Sequence, residues 1–293
     1  MIAGALRYER PESLDEVLDL LAEHGSDAAV LAGGQDLVPQ LSLGTASPGV
    51  IVDIGRLGGL TGLRALNGLL TLGARVSHRE IERSDDVRGR CGLLSCAAAQ
   101  IGGGPQVRNR GTIGGAVAAA SPVYDYLPCL VALDATVHLA SKERHRAVPV
   151  GELVLGAGQT AREPDELVTE ISVAAAGGGQ RYAYEKLKFS DGCYLIAGVA
   201  CIADVDDAGV PRALRIAVGG ATPAPLRLDE VEALCAGNEL SDELLAEAAV
   251  GARRAVAEPI TDALADGRYR RRVTGALVKR ALAAVAGGGG DSA

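Results

Sequence analysis

Two pairs of adjacent glycines, far apart in a chain of 293 residues, restrict its fold more than any other feature. The first glycine segment is Ala-Gly-Gly-Gln-Asp at residues 32–36, and the second glycine segment is Gly-Thr-Ile-Gly-Gly at residues 111–115. A residue without a side chain lets backbone N–H groups approach a ligand closely and adopt the positive φ that an anion-binding nest requires. Two such segments of similar composition predict a fold in which both meet around a ligand with two adjacent phosphates, such as a dinucleotide.

The composition indicates a packed globule and excludes two kinds of partner. Apolar residues make up 48% of the chain, and the formal net charge is −8. A general nucleic-acid surface needs an excess of Lys and Arg, so this charge argues against one. No apolar stretch reaches the ~20 residues that a membrane-spanning helix needs, and residues 1–9 show no signal-peptide pattern. We therefore expect no membrane span and a cytoplasmic location.

The cysteines do not predict a metal site. None of the six is in a Cys-x-x-Cys pair, and the pair nearest to it, Cys91 and Cys96, has no further ligands close in sequence. In a reducing compartment such residues are mostly small, buried and apolar. We therefore expect neither a metal ion nor an iron–sulfur cluster in this chain.

Helices and strands are mixed in the N-terminal part. Ser13 and Glu16 have the spacing of a capping box, and apolar residues at i, i+3, i+4 and i+7 continue the helix to Gly25. A short apolar strand at 28–31 leads into the first glycine segment. Further strands are expected at 50–54, 69–74, 135–139 and 167–173, and further helices at 77–83 and 93–101.

The C-terminal part is predicted to begin at the glycine triplet 177–179, the clearest internal boundary. It contains two apolar runs around a polar turn, the pattern of an antiparallel hairpin, and then two helices. The predicted elements are strands at 194–205 and 213–218, a turn at 206–209, helices at about 241–256 and 270–286, and a disordered tail at 287–293. The order of the elements predicts an α+β fold in two parts.

A conventional Rossmann site is not expected. Its Gly-x-Gly-x-x-Gly motif lies between a strand and a helix, and the nearest match, residues 156–161, lacks both neighbours and is closely followed by Pro164. A dinucleotide would therefore be held by another architecture.

The first glycine segment allows two interpretations. Amides from Gly33 to Asp36, with the Gln35 side chain, could hold a pyrophosphate; alternatively, the glycines only permit a tight turn after the strand. The Asp36 carboxylate would repel phosphate, so it should point away, towards the following turn or a ribose hydroxyl.

The second glycine segment leaves similar alternatives. Thr112 offers a hydroxyl donor and the glycine pair offers amides, while Arg108 or Arg110 either neutralises phosphate charge or contacts solvent. Asp125 lies a short distance downstream. Its carboxylate either accepts from ribose hydroxyls, as acidic residues do in other dinucleotide sites, or is satisfied by the backbone at a helix N-terminus.

Together, the patterns Ala-Gly-Gly-Gln-x-Leu-x-Pro and Gly-Thr-Ile-Gly-Gly resemble the FAD-binding medium subunits of the xanthine dehydrogenase / carbon monoxide dehydrogenase family of molybdenum hydroxylases. Segments at 52–56, 133–135, 218–227 and 269–271 support the resemblance. It covers nearly the whole chain, and the C-terminal segments distinguish this family from other flavoproteins with a similar FAD domain.

The resemblance implies an α+β fold with a two-lobed FAD-binding domain of the p-cresol methylhydroxylase / vanillyl-alcohol oxidase type. A C-terminal domain of an antiparallel sheet and a helix group would follow. The FAD-binding domain would cover 1–176, with an N-terminal lobe at 1–55 and a middle lobe at 56–176. The C-terminal domain would cover 177–286.

The resemblance also assigns residues to the cofactor. The two glycine segments, with the strand before the first, would hold the pyrophosphate. Asp125 would meet the adenosine ribose, Leu167 would lie near the adenine and Lys186 near the flavin, while Gly102 takes the place of an aromatic residue that some members put against FAD. Tyr194 would pack beside the isoalloxazine and is the candidate nearest to the chemistry. The cofactor-binding candidates are Ala29, Val30, Leu31, Ala32, Gly33, Gly34, Gln35, Asp36, Gly102, Gly111, Thr112, Ile113, Gly114, Gly115, Asp125, Leu167 and Lys186.

The implied function is electron transfer. FAD in this chain would take electrons from [2Fe-2S] clusters in a small partner subunit, and a large subunit with a molybdopterin cofactor would oxidise the substrate, in a dimer of heterotrimers. Two alternatives stay open: a self-contained flavin oxidase or reductase, and an assembly scaffold that has lost FAD. The oxidase would need an acid–base pair or a covalent attachment near the flavin, and the sequence contexts of the four histidines do not favour it.

Overall fold

The structure, a computed structural model, describes residues 6–176 and 180–288. The strands form sheets of three, five, four and two strands. They are β1 (Arg7–Glu9), β2 (Ala28–Leu31), β3 (Val50–Asp53), β4 (Leu63–Leu66), β5 (Leu69–Gly73), β6 (Thr136–Ala140), β7 (His145–Pro149), β8 (Val154–Gly156), β9 (Gln159–Thr160), β10 (Leu167–Ala174), β11 (Gln180–Lys188), β12 (Leu195–Val205), β13 (Pro211–Gly219) and β14 (Leu226–Arg227). The α-helices are α1 (Leu14–His24), α2 (Leu37–Leu43), α3 (His78–Arg83), α4 (Asp85–Arg90), α5 (Gly92–Gln100), α6 (Gly104–Arg110), α7 (Ile113–Ala119), α8 (Tyr126–Ala132), α9 (Val150–Leu153), α10 (Asp229–Cys235), α11 (Asp242–Ala255) and α12 (Gly267–Ala286).

The first lobe packs α1 on a parallel sheet in the order β1-β3-β2. Apolar residues of α1, repeated with the helical period, are buried with those of β3, and each such side chain contributes about 1.5–3 kcal/mol. Ser13 caps the helix by accepting from the Glu16 amide, while the Glu16 carboxylate accepts from the amide of Glu12, so the predicted capping box is only half formed. Strand β2 ends at the first glycine segment.

The middle lobe contains an antiparallel sheet in the order β4-β5-β10-β6-β7. This sheet shares one hydrophobic core with helices α3, α4, α5, α7 and α8. Strand β10 pairs with both β5 and β6, so it joins segments that are distant in sequence. The second glycine segment follows α6 and includes the first turn of α7 in this lobe.

The C-terminal sheet, in the order β11-β12-β13-β14, is buried on both faces. One face, including Tyr184, Ala200 and Ile202, belongs to the core of the middle lobe. Alternate residues on the other face, including Val199 and Cys201, pack with α10, α11 and α12. Burial on both faces explains why β12 reads as one continuous apolar run. The predicted α+β fold, with a mixed part followed by an antiparallel sheet and helices, is confirmed.

Short helices next to the site were not predicted from the sequence. Helix α6 begins at a Gly-Pro pair after Gly103, whose φ is +83°, and Pro105 lies in the first turn, where its missing N–H has no intrahelical partner to lose. Helix α8 is buried on all sides, so its sequence shows no amphipathic period.

Three further sequence predictions concern the chain segments outside the described residues, membrane-spanning helices and the cysteines. The glycine triplet 177–179 and residues 289–293 of the predicted tail lie outside the described residues. In the described parts of the chain, no helix is both long and apolar enough to cross a membrane. All six cysteines are free thiols, and four of them are buried, in line with the expectation of small apolar residues.

Candidate functional site

Both glycine segments line one cavity of about 580 Å³, which is within the usual size range of small-molecule sites. Its wall combines the end of β2 and the start of α2 with the α5–α6 connection, α7, the start of α8 and the start of β10. Gly192 and Tyr194, from the connection between β11 and β12, complete it. The two glycine segments therefore meet, as their sequences predict, although they belong to different lobes.

Gly33 is required by the approach of one segment to the other. A Cβ added at Gly33 would overlap the carbonyl oxygen of Arg110, immediately before the second segment. Its neighbour Gly34 has a φ of +72°, a conformation that residues with side chains rarely adopt. The glycine pair thus serves both packing and turn geometry.

The amides of the first glycine segment are open. Among the hydrogen bonds of residues 6–176 and 180–288, none engages the backbone N–H of Gly33, Gly34, Gln35 or Asp36. The side-chain nitrogen of Gln35, Nε2, lies 3.4 Å from the carbonyl oxygen of Gly33, so this side chain folds back on the turn. A run of unpaired backbone N–H groups at a cavity wall is an anion-binding feature.

The second glycine segment is a helix start, which corrects the expectation of a loop with free amides. The Thr112 hydroxyl caps α7 by accepting from the Gly115 amide at 3.1 Å, and the Gly114 amide donates to the Ala74 carbonyl at 2.9 Å. A Cβ at Gly114 would lie 2.5 Å from the Ala74 Cβ. The glycine pair therefore packs α7 against the segment after β5, and the sequence carries no sign of that neighbour. What this segment offers a ligand is the Thr112 hydroxyl proton and the positive end of α7.

Tyr124 connects the first glycine segment to Tyr194. Its hydroxyl donates to the Asp36 carboxylate at 2.9 Å, and its ring stacks on that of Tyr194 with centroids 5.9 Å apart. Burial, reinforced by Asp36, raises the pKa of Tyr124, so the phenol remains a donor. Tyr194 itself is 54% exposed at the cavity. Sequence reasoning found no role for Tyr124, since only the fold brings its hydroxyl to Asp36.

Asp125 and Lys186 form a buried ion pair with each other. Lys186 Nζ lies 2.8 Å and 3.0 Å from the two carboxylate oxygens, and the Tyr184 hydroxyl donates to the same carboxylate at 2.7 Å. Burial raises the pKa of Asp125, while Lys186 and Tyr184 act to lower it. Asp125 makes no side-chain cap hydrogen bond to α8, so its main partners are Lys186 and Tyr184. Lys186 also donates to the Gln100 carbonyl at 3.0 Å and is not on the cavity wall.

His78 lines the cavity, although its place at the start of a helix gave no sign of this in the sequence. It is 6% exposed, and burial, together with Arg108, lowers its pKa to about 4, so the imidazole is neutral at physiological pH. Its ring lies 5.3 Å from that of Tyr126, which also lines the cavity. His78 Nδ1 and Tyr126 Oη are buried and have no hydrogen-bond partner among the described residues. Orphaned polar atoms beside a cavity indicate a ligand or water that is part of the native site.

Glu166, next to Leu167 on the wall, anchors a cluster of arginines. Its carboxylate is 1% exposed and accepts from Arg146 through two bonds of 2.7 Å, from Arg144 at 3.0 Å and from the Glu163 amide at 2.8 Å. Burial acts to raise the pKa of Glu166, but the bonds from Arg146 and Glu163 outweigh it and lower the pKa to about 2. The ion pair therefore holds the segment before β10 in place.

Glu166→Gln is expected to remove a stability contribution that depends on pH. Because the folded-state pKa of about 2 is below the usual 4.5, the carboxylate stabilises the fold above pH 4.5 and loses this effect as the pH falls towards 2. The contribution is at most about 3 kcal/mol. Urea unfolding should show a large deficit for the variant at pH 7 and a smaller one at pH 3.5. A deficit independent of pH, or one equal to that of the exposed control Glu143→Gln, would contradict this assignment.

Most of the residues predicted for the site lie on the cavity wall. Leu31, Ile113 and Lys186 do not: Ile113 and Lys186 have buried side chains, and Leu31 lies beside Gly34. The predicted residues on the wall are Ala29, Val30, Ala32, Gly33, Gly34, Gln35, Asp36, Gly102, Gly111, Thr112, Gly114, Gly115, Asp125, Leu167 and Tyr194.

The class of protein follows from comparison of the whole chain. Residues 4–175 match the model of the FAD binding domain in molybdopterin dehydrogenase, and residues 182–285 match the CO dehydrogenase flavoprotein C-terminal domain. The chain belongs to this family of FAD-binding flavoproteins, and the resemblance found in the sequence is confirmed.

Individual relatives are similar over their full lengths. The chain is 36% identical to the carbon monoxide dehydrogenase medium chain of Hydrogenophaga pseudoflava, over 96% of this chain and 97% of the relative. It is 31% identical to the nicotine 6-hydroxylase medium subunit of Paenarthrobacter nicotinovorans, over 95% and 96%. The solved CO dehydrogenase of Oligotropha carboxidovorans matches with a TM-score of 0.94 and 31% identity, covering 98% of this chain and 99% of that one.

These matches decide between two of the interpretations that the sequence left open, the electron-transfer subunit and the self-contained flavin enzyme. The chain is the FAD-carrying subunit of a molybdenum-containing oxidoreductase, and the matches do not support a self-contained flavin oxidase. The residues present fit this cofactor, because the cavity has open amides for an anion, an apolar wall for an aromatic ring system and orphaned polar atoms.

Proposed function

We propose that this chain binds FAD across the cavity between its two glycine segments and serves as the medium subunit of a multi-subunit molybdenum hydroxylase. The observation that carries the proposal is the open row of amides from Gly33 to Asp36, facing the start of α7 in one cavity. Bound FAD would supply the ability to accept electrons and pass them on to an external acceptor.

The chain's own residues would hold and orient the cofactor. The amides of the first glycine segment and the Thr112 hydroxyl would bind the pyrophosphate. Leu167 would lie at the adenine. The Asp125 carboxylate would accept hydrogen bonds from the ribose hydroxyls, and Lys186, on the side away from the cavity, would neutralise the charge of that carboxylate. Gly102 lets the backbone of Gly192 and Cys193 pack closely against it, just before Tyr194. The exposed ring of Tyr194 would cover the flavin or gate access to it, and Tyr124 would hold that ring in position.

A division of labour among subunits is part of the proposal. The relatives are named as medium chains or medium subunits, which supports a large partner with the molybdopterin cofactor and a small partner with [2Fe-2S] clusters. We infer a dimer of such heterotrimers in the cytoplasm. Within the chain we infer an FAD-binding domain at 1–176, with lobes at 1–55 and 56–176, and a C-terminal domain at 177–286.

The proposal is tested on the complex, produced by co-expression of this chain with its large and small partner subunits. Its absorption spectrum should contain flavin bands, and acid release should yield FAD rather than FMN in proportion to this chain. A correctly assembled complex that contains no flavin and takes up none from solution would overturn the proposal.

A further inference from the structure

Arg162 lies on the wall of the cavity, just before β10. Its Nη1 atom donates to the carbonyl oxygens of Glu163 at 3.0 Å and Glu166 at 2.6 Å. These two bonds fix the orientation of the guanidinium group without neutralising its charge. No hydrogen bond of the described residues engages its Nε or Nη2 atoms, and neither atom is an orphaned buried one. The N–H donors on these atoms are therefore available to a ligand.

The nearby carboxylate of Glu166 is hydrogen-bonded to residues other than Arg162. Glu166 accepts from Arg146, Arg144 and the Glu163 amide, while Arg162 reaches only its backbone carbonyl. In the described part of the chain, no carboxylate oxygen lies within 4.0 Å of the Arg162 nitrogens. Burial lowers the pKa of Arg162, and Glu166 and Asp165 oppose this only through space. A partly buried cation without a direct carboxylate partner is costly unless a ligand supplies acceptor atoms.

The surroundings of Arg162 indicate which part of a ligand it meets. Glu166, whose carbonyl oxygen accepts from Arg162, is followed by Leu167. Leu167 lines the cavity together with Leu21 and Ile54, and all three belong to the core of the first lobe. An aromatic base fits an apolar wall of this kind, and a guanidinium can stack on a base or donate to its acceptor atoms. The tyrosine pair assigned to the flavin instead adjoins the core of the middle lobe.

We propose that Arg162 binds the adenylate half of FAD, through its Nε and Nη2 donors, and so contributes to the choice of a dinucleotide over a mononucleotide. This inference rests on the proposed function, because it requires FAD in the cavity. A hydrogen bond from a charged donor is strong enough that its loss should weaken binding by about tenfold or more.

The test measures ligand binding to the assembled complex after removal of its flavin. FAD is titrated by the quenching of its fluorescence, and ADP is titrated by competition with FAD. Arg162→Leu should raise the Kd of FAD and the inhibition constant of ADP by the same factor, about tenfold or more. Arg162→Lys should raise both constants by a smaller factor, because it retains a positive charge.

Arg144→Gln is the matched control. Arg144 shares the Glu166 carboxylate, but its side chain is 54% exposed and is not on the cavity wall. Both constants should stay within about twofold of the unaltered complex in this variant.

Three kinds of result would overturn the inference about Arg162. The adenylate would lie elsewhere if both constants were unchanged in Arg162→Leu. The same would follow if this variant lost affinity for FAD without an equal loss of affinity for ADP. An equal loss in Arg144→Gln would show that only the loop structure matters. If ADP does not compete with FAD in the unaltered complex, the adenylate site itself is absent. Failure of the unaltered complex to bind FAD would instead refute the proposed function.

Discussion

Gly33→Ala is expected to weaken the affinity of the assembled complex for FAD by about a hundredfold. The added methyl group would overlap the carbonyl oxygen of Arg110, so the two glycine segments must separate. Overpacking of this kind costs up to about 3 kcal/mol, which corresponds to about two orders of magnitude in a binding constant. Titration of the flavin-free complex with FAD measures the effect directly.

The matched control is Gly89→Ala on the exposed side of α4. A Cβ at Gly89 meets no atom within 4 Å, so the same chemical change should leave FAD binding unaltered. Thermal unfolding of both variants separates loss of the site from loss of the fold. If Gly33→Ala binds FAD as tightly as Gly89→Ala, the close contact between the two segments has no role in cofactor binding.

Lys186→Met is expected to lower the free energy of unfolding by about 3–5 kcal/mol, because it leaves a buried carboxylate without its cation. Lys186 is 1% exposed at its side chain and lies within hydrogen-bond distance of both oxygens of Asp125. Lys188→Met, in the same strand, is the control. Lys188 pairs with Asp191, which is 98% exposed, so its replacement should change stability by less than about 1 kcal/mol.

The deficit of Lys186→Met should also depend on pH. Burial raises the pKa of Asp125 and Lys186 opposes that rise, so the variant has a still higher folded-state pKa. A carboxyl group with a higher pKa in the folded state takes up a proton on folding, so stability falls as the pH rises above the unfolded-state value of about 4. Urea unfolding should therefore show a smaller deficit at pH 5 than at pH 8. Equal deficits for the two lysine variants would contradict a buried charge pair.

The fold could be predicted wherever local patterns are strong. The apolar period and Ser13 cap define α1, and the two long apolar runs around a polar turn define the β12–β13 hairpin. Short buried helices such as α8 could not be predicted, because a helix surrounded by core has no polar face to reveal its period. The pairing of β10 with β5 and β6 is equally absent from local sequence, since it depends on long-range packing.

The candidate site shows the same limit in individual residues. The role of a glycine pair can be predicted from sequence, because few other residues permit close approach and positive φ. The partners of the polar residues are not: Asp125 is paired with Lys186, and Asp36 with Tyr124, across large separations in the chain. His78 illustrates the point further, since burial among residues of other elements, together with Arg108, lowers its pKa and makes it a neutral group on the cavity wall.

The sequence by itself determined that this chain has two glycine segments, a two-part α+β fold and the family pattern of an FAD-carrying subunit. Only the tertiary structure decided what each glycine does. The amides of the first segment stay open, whereas those of the Gly114–Gly115 pair are used to join α7 to Ala74 and to Thr112. The physical reason is that a glycine's freedom is a local property, while the atom that occupies the space beside it comes from a distant part of the chain.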